Sequence, residues 1–310
     1  MSRRGWALFI AMSFIWGIPY LLIKVSVSDL SPVTLVFFRT VIGAIILLPI
    51  AAARGSLAPV LPHWRWIIAY TIVEVALPWF LVSDGELRLS SSLTGLLIAA
   101  TPIVGVVLGR LTKGDDRFDA RRLFGLAVGL LGVAVLVGFN VAVNDLRAAG
   151  EIGLVAICYA IGPLIVSRRL SGVPSIGVVA VSLVLPAIFL APLGLTHLPA
   201  AFPPPQVLLA VSLLGIVCTA LAFLLFFALI AEVGPVRATV ITYVNPAVAL
   251  ALGVTLLGEP FTVGAVAGFA LILAGLFFAT RRGPRAAGVV LKDQDEKGDA
   301  HKDEQVVEAL

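Results

Sequence analysis

Residues 207–231 read VLLAVSLLGIVCTALAFLLFFALIA, twenty-five positions without one charged side chain. As an α-helix this run is about 37 Å long at 1.5 Å per residue, enough to cross the roughly 30 Å hydrocarbon core of a bilayer. A strand reading fails, because an open sheet edge in lipid leaves backbone groups unpaired. Nine further segments repeat the pattern. The set is Trp6–Ser26, Val33–Ala53, Trp66–Ser83, Ser92–Leu111, Leu123–Phe139, Ile152–Ser167, Ser175–Leu195, Val207–Ala231, Val236–Leu257 and Val263–Thr280. The expected fold is all-α, a polytopic membrane protein with ten transmembrane helices.

Composition agrees. The 310 residues are 60% hydrophobic and only 13% charged, whereas soluble domains carry about 25% charged residues. The formal net charge of +4 is no nucleic-acid signal, because the basic residues sit in short clusters between apolar runs. With the N-terminus cytoplasmic, Arg3, Arg4, Arg54, Arg65, Arg110, Lys113, Arg121, Arg168, Arg237 and Arg281 all fall inside, and the outer loops hold only Arg88 and Arg147. That bias places both termini in the cytoplasm. The apolar run that follows Arg3-Arg4 reads as a first span, not a cleaved signal. Residues 283–310, with Lys292-Asp293-Gln294-Asp295-Glu296-Lys297, read as a disordered charged cytoplasmic tail. Cys158 and Cys218 lie in apolar runs, and His63, His197 and His301 have no ligand spacing. Neither a metal nor a cofactor is expected.

The chain repeats itself at an offset near 143. Pro19 matches Pro163, Pro32 matches Pro174, Pro49 matches Pro192, Pro102 matches Pro246, Gly125 matches Gly268 and Gly132 matches Gly275. Residues 1–140 and 141–282 are therefore read as two five-helix repeats. An odd number of spans per repeat inverts the second relative to the first, a recurring plan of secondary transporters. The Arg110–Arg122 loop is basic while its counterpart Gly258–Thr262 is not, as inversion requires.

Several motifs resemble those of the drug/metabolite transporter superfamily, specifically the EamA-type ten-helix permeases. They are Phe14-Ile15-Trp16-Gly17, Phe37-Phe38-Arg39, Thr219-Ala220-Leu221-Ala222-Phe223, and Asn245-Pro246 followed by Leu257-Gly258-Glu259. The first repeat departs from the pattern at Lys113-Gly114-Asp115-Asp116. The resemblance covers about residues 6–280 and implies transport, usually efflux, of amino acids, metabolites or drugs across a bacterial cytoplasmic membrane.

Candidate site residues follow from depth and chemistry. Gly17-Ile18-Pro19 and Gly162-Pro163 are matched helix breaks, and Pro102 and Pro246 are a second pair. A proline removes one backbone donor and frees the carbonyl four residues back, which is tolerated in a membrane only against protein or a wet cavity. Trp16, Tyr20 and Tyr159 beside these breaks, with Trp79, Thr101, Tyr243 and Asn245, are the expected walls of a substrate cavity. Glu74 lies about 14 Å deep in the third span. It is a proton-coupling group, a counter-charge for a substrate amine, or a structural partner of Arg39. Arg39 is a gate, a carboxylate binder or a snorkelling side chain. Lys24 is expected to snorkel, and Asp84 and Glu86 to lie solvated in an outer loop. Glu259 is expected to serve the start of the tenth helix. Gly125/Gly129 and Gly264/Gly268 permit close helix approach, within the chain or in a homodimer.

No Walker-type phosphate loop is present, so energy comes from outside the chain. An in-membrane enzyme lacks a histidine or metal cluster within a span, and no enzymatic activity is expected. A non-transporting scaffold or receptor would not need matched helix breaks. The partners expected are a small-molecule substrate and the lipid bilayer, with the chain a monomer or homodimer and no nucleic acid.

Overall fold

The computed structural model describes residues 1–113, 120–234, 238 and 240–280. Among them all regular structure is helical, with no strand. The apolar helical segments are α1 (Arg3–Ser26), α2 (Pro32–Ala53), α3 (Ala58–Gly85), α4 (Ser91–Leu108), α5 (Leu123–Asn140), α6 (Leu146–Arg169), α7 (Ser175–Phe189), α8 (Pro205–Val233), α9 (Ile241–Leu257) and α10 (Val263–Ala279). Seven are long and apolar enough to cross a membrane, and α7, α9 and α10 are shorter. The chain is a multi-pass membrane protein. The tail at 283–310, the Gly114-Asp115-Asp116 turn, and Arg117, Arg237, Arg281, Arg282, Arg285 and His301 lie outside the described residues.

Local chemistry sets the helix ends. Ser31 and Ser90 accept N-cap bonds from Thr34 N and Leu93 N, both at 3.2 Å, and Pro32 occupies the first turn of α2, where its missing N–H costs nothing. The α9 helix ends at Gly258, whose φ of +67° is the left-handed conformation that glycine adopts without strain.

Glycine also sets the closest helix contacts. A Cβ on Gly125 of α5 would lie 2.5 Å from Ala279 N of α10, and one on Gly132 would lie 2.7 Å from Gly268 O. The backbones of α5 and α10 touch, so Gly125, Gly129 and Gly268 serve packing within the chain. Helices α2 and α7 run antiparallel. Thr34 Oγ1 donates to Gly194 O (3.1 Å) and His197 O (3.2 Å) at one end, while Gly177 packs on the Ser56 carbonyl at the other.

Two of the expected helix breaks are absent. Pro163 and Pro246 sit inside uninterrupted α6 and α9. Each proline lacks a backbone N–H of its own, yet the helix continues through it. Breaks do occur in α1, where Trp16, Gly17 and Ile18 form a turn, and in α4, where Ala99-Ala100 precede Thr101-Pro102. Two π-helical turns, Thr71–Ala76 in α3 and Ile216–Leu221 in α8, have no counterpart in the local pattern. They lie 145 residues apart, at the same place in each half. A π turn often marks a functional site.

Candidate functional site

The two π turns face each other across α2 and α7. One apolar cluster contains Val36, Ala44 and Leu47 of α2, Val75 and Trp79 of α3, Val179 and Leu183 of α7, and Ala220 of α8, with Tyr159 of α6 packed on it. Five helices therefore meet there, and Arg39 and Glu74 lie among them.

Glu74 occupies the fourth position of the α3 π turn. Its carboxylate reaches across to α6 and fills the space that a side chain on Gly162 would need. Oε2 is buried and has no hydrogen-bond partner. Such a group costs a few kcal/mol inside a membrane, which function or a second conformation must offset. Arg39 of α2 is buried. Its guanidinium stacks 3.6 Å above the Trp79 ring, and Nε donates to Thr219 Oγ1 at 3.0 Å. A cation held against a desolvated tryptophan face gains about 2 kcal/mol. Thr219 sits at the fourth position of the α8 π turn, matching Glu74 of α3, and its hydroxyl donates to Leu214 O at 2.8 Å, five residues back. Among the described residues Arg39 and Glu74 form no ion pair, so the expected structural pairing is not made. Tyr159 lies within electrostatic reach of Tyr20, Glu74 and Arg39. Tyr20 itself packs over Gly95 of α4.

The remaining candidates stand apart. Trp16 packs edge-on to Phe223 (5.9 Å) and tilted against Phe226 (4.7 Å) of α8. Phe223 also abuts the central cluster, and so links Trp16 to it. With its amide nitrogen turned to the carbonyls, Asn245 donates to Ser13 O (3.0 Å) and Ile241 O (2.9 Å). It ties α9 to α1, and Gly17 beside it leaves room for Val248. Thr101 Oγ1 donates to Ile98 O at 2.7 Å and caps the α4 break. Tyr243 is half-buried near the start of α9. Trp16, Asn245 and Glu74 thus do not share one wall. A cavity of about 510 Å³ opens elsewhere, between the ends of α4, α5, α9 and α10, beside Ser92, Asn140, Leu250 and Thr262.

Three charged residues depart from their expected roles. Lys24 does more than snorkel: Nζ donates to the backbone carbonyls of Glu86 and, at 2.8 Å, Leu89. Glu86 is not solvated but fully buried, with both carboxylate oxygens unpartnered. Burial pushes its carboxyl well above the ordinary 4.5, Lys24 pulls it down, and Glu259 pushes it up. Glu259 serves α4 and not the tenth helix. Its two oxygens accept from Ser91 N (2.7 Å) and Ser92 N (2.9 Å), completing the amides that a helix N-terminus leaves open. Side-chain reach across 62 and 168 residues of chain was not legible in local pattern. Ser182 carries no local signal, since serine is ordinary in helices, and Thr219 stands out in sequence only as part of the Thr219–Phe223 motif. The offset of 143 carries Arg39 to Ser182 but Glu74 to Val217, and only the π turns align Glu74 with Thr219.

Comparison with known proteins gives this architecture a family. The chain is 24% identical over 281 residues to "Uncharacterized transporter YvbV" of Bacillus subtilis (strain 168), covering 89% of this chain and 92% of that protein. It is 29% identical over 264 residues to "Uncharacterized inner membrane transporter YedA" of Escherichia coli (strain K12), covering 82% of each. It is 24% identical over 305 residues to "Probable amino-acid metabolite efflux pump" of Salmonella typhimurium (strain LT2), covering 93% and 100%. A protein of known crystal structure shares the fold with a TM-score of 0.64 at 22% identity, over 89% of this chain and 96% of that one. The EamA-like transporter family profile matches twice, over residues 3–138 and 152–281. These matches span both halves of the helical bundle, and the chain belongs to the EamA-like transporter family.

Proposed function

We propose that this chain is a secondary transporter that exports small zwitterionic metabolites, with amino acids as the leading class, by alternating access. Its ten helices span the cytoplasmic membrane of a bacterium as two inverted five-helix repeats, residues 1–140 and 141–282, with both termini cytoplasmic. The observation that carries the reading is the unpaired opposition of Arg39 and Glu74. Both lie in the interior of one helix bundle, near the same tyrosine, and neither neutralises the other. A zwitterion supplies the missing partner to each: its ammonium to Glu74, its carboxylate to the guanidinium fork. Trp79 and Tyr159 supply the apolar and π surface between them. The matched π turns support the inverted repeat, and the efflux name of the Salmonella relative supports the direction. Glu74 also serves as the proton-coupling group, since a carboxyl in that apolar setting exchanges a proton more readily than it holds a bare charge.

The test is flux in proteoliposomes with a panel of labelled amino acids. Transport inhibited by intact amino acids, but not by analogues lacking the amine or the carboxylate, is expected. Equal inhibition by the truncated analogues would overturn the two-point reading.

A further inference from the structure

The central contacts are lopsided in a way that the repeat makes informative. Arg39 lies between two repeat anchors, Pro32 with Pro174 at 142 and Pro49 with Pro192 at 143; the second sets Arg39 of α2 against Ser182 of α7, and Gly43 against Pro186. Glu74 and Thr219 are paired by their π turns. The two equivalent contacts are therefore Arg39 with Thr219 and Ser182 with Glu74. Helix α2 packs on the α8 π turn, and α7 packs on the α3 π turn. In this structure the first contact is made, at 3.0 Å, through the gap left by Gly43, where a Cβ would lie 2.9 Å from Thr219 Cγ2. In the second, Ser182 Oγ and Glu74 Oε2 are both buried and both unpartnered.

Ser182 departs from its neighbours in kind. Ser26, Thr40, Ser83 and Ser212 all turn their hydroxyls back onto a carbonyl of the preceding turn. Fully buried Ser182 does not. Its own carbonyl is also short of a donor, because Pro186 four residues on has no N–H. One residue thus offers a hydroxyl to an acceptor and a carbonyl to a donor, the pair of groups that a carboxyl can satisfy at once.

We propose that Ser182 is a positioning residue of the transport cycle, taking the Glu74 carboxyl in the opposite-facing state while Arg39 releases Thr219. Exchange of the two halves' conformations, the rule for inverted repeats, turns a made Arg39–Thr219 contact and an open Ser182–Glu74 contact into the reverse. Each state keeps one buried polar bridge between the halves and leaves the other open. The proposal rests on the alternating-access reading of the preceding section.

The experiment measures spin-label distances in the full chain in nanodiscs, with Cys158 and Cys218 replaced by alanine. Labels at Leu87 and Gln206 report one end of α3 and α8, and labels at Arg65 and Ala231 report the other. Thr219→Val removes the bridge of the present state and is expected to raise the population of the other on the order of tenfold, the scale of one lost hydrogen bond to a charged group. One label pair lengthens and the other shortens. Thr219→Ser keeps the bridge and is expected to leave the distances as in the parent chain. Adding Ser182→Ala to Thr219→Val is expected to return the population toward the original, and adding Ser182→Thr is expected not to. Distances that ignore Thr219→Val, or a double variant that does not return, would overturn the proposal. Amino-acid flux of the same variants in proteoliposomes separates the two readings. Flux with unresponsive distances defeats the swap and keeps the carrier, whereas the expected distances without flux keep the swap and defeat the carrier.

Discussion

The Glu74 carboxylate lies in the space where Gly162 has no side chain, so α6 is cut away at the depth where α3 carries its charge. This relationship gives a glycine a role that helix propensity does not explain. In an ordinary helix interior alanine is favoured over glycine by about 1 kcal/mol.

Gly162→Ala therefore separates the two effects. A methyl group there meets Glu74 directly and must displace the carboxylate. Flux is expected to fall on the order of tenfold or more, while the thermal midpoint in detergent changes little. A variant with full flux would mean that the Glu74 position is not used.

The stack of Arg39 on Trp79 makes a second prediction. Lysine keeps the charge but loses the Nε bond to Thr219 and the planar stack. Arg39→Lys is expected to lose on the order of tenfold in flux, and Trp79→Phe less than Trp79→Leu, since a smaller π face still attracts the cation. Initial-rate flux measurements order the three.

Glu259 separates stability from transport. Its carboxylate completes two amides at the start of α4. Glu259→Ala is expected to cost about 1–3 kcal/mol, read as a lower unfolding temperature, with Glu259→Gln intermediate. Substrate affinity is expected to hold, because Glu259 lies in the α9–α10 turn, away from the central cluster.

Glu86 gives a pH dependence of defined sign. Its carboxyl is pushed above 4.5 by burial. The folded chain then holds a proton that the unfolded chain releases, so this group's contribution is complete below 4.5 and is lost as pH rises toward the raised value. Glu86→Gln removes that loss. Unfolding temperatures of the two proteins are expected to converge near pH 4 and to separate as pH rises, with the glutamine variant higher. Separation in the opposite sense would place a charged partner on Glu86.

Local pattern carries the helices but not the contacts between residues far apart in the chain. The apolar segments fell on helices because period and length alone identify them, and Glu74 stood out because a carboxylate at such depth is costly wherever it points. The surroundings of Lys24, Glu86 and Glu259 are not legible locally, because their neighbours are distant in the chain and near in space. Pro163 leaves α6 continuous, because a proline's effect depends on its surroundings as well as on its own lost N–H. Ser182 carries no local signal, and the contact between Arg39 and Thr219 spans 180 residues of chain.

The most direct test of the account is flux of a labelled amino acid in proteoliposomes, with and without an imposed pH gradient, for the parent chain and Glu74→Gln. The parent is expected to respond to the gradient, and the glutamine variant to lose the response while remaining folded. A glutamine variant driven by the gradient as strongly as the parent would contradict the assignment of Glu74 as the coupling group.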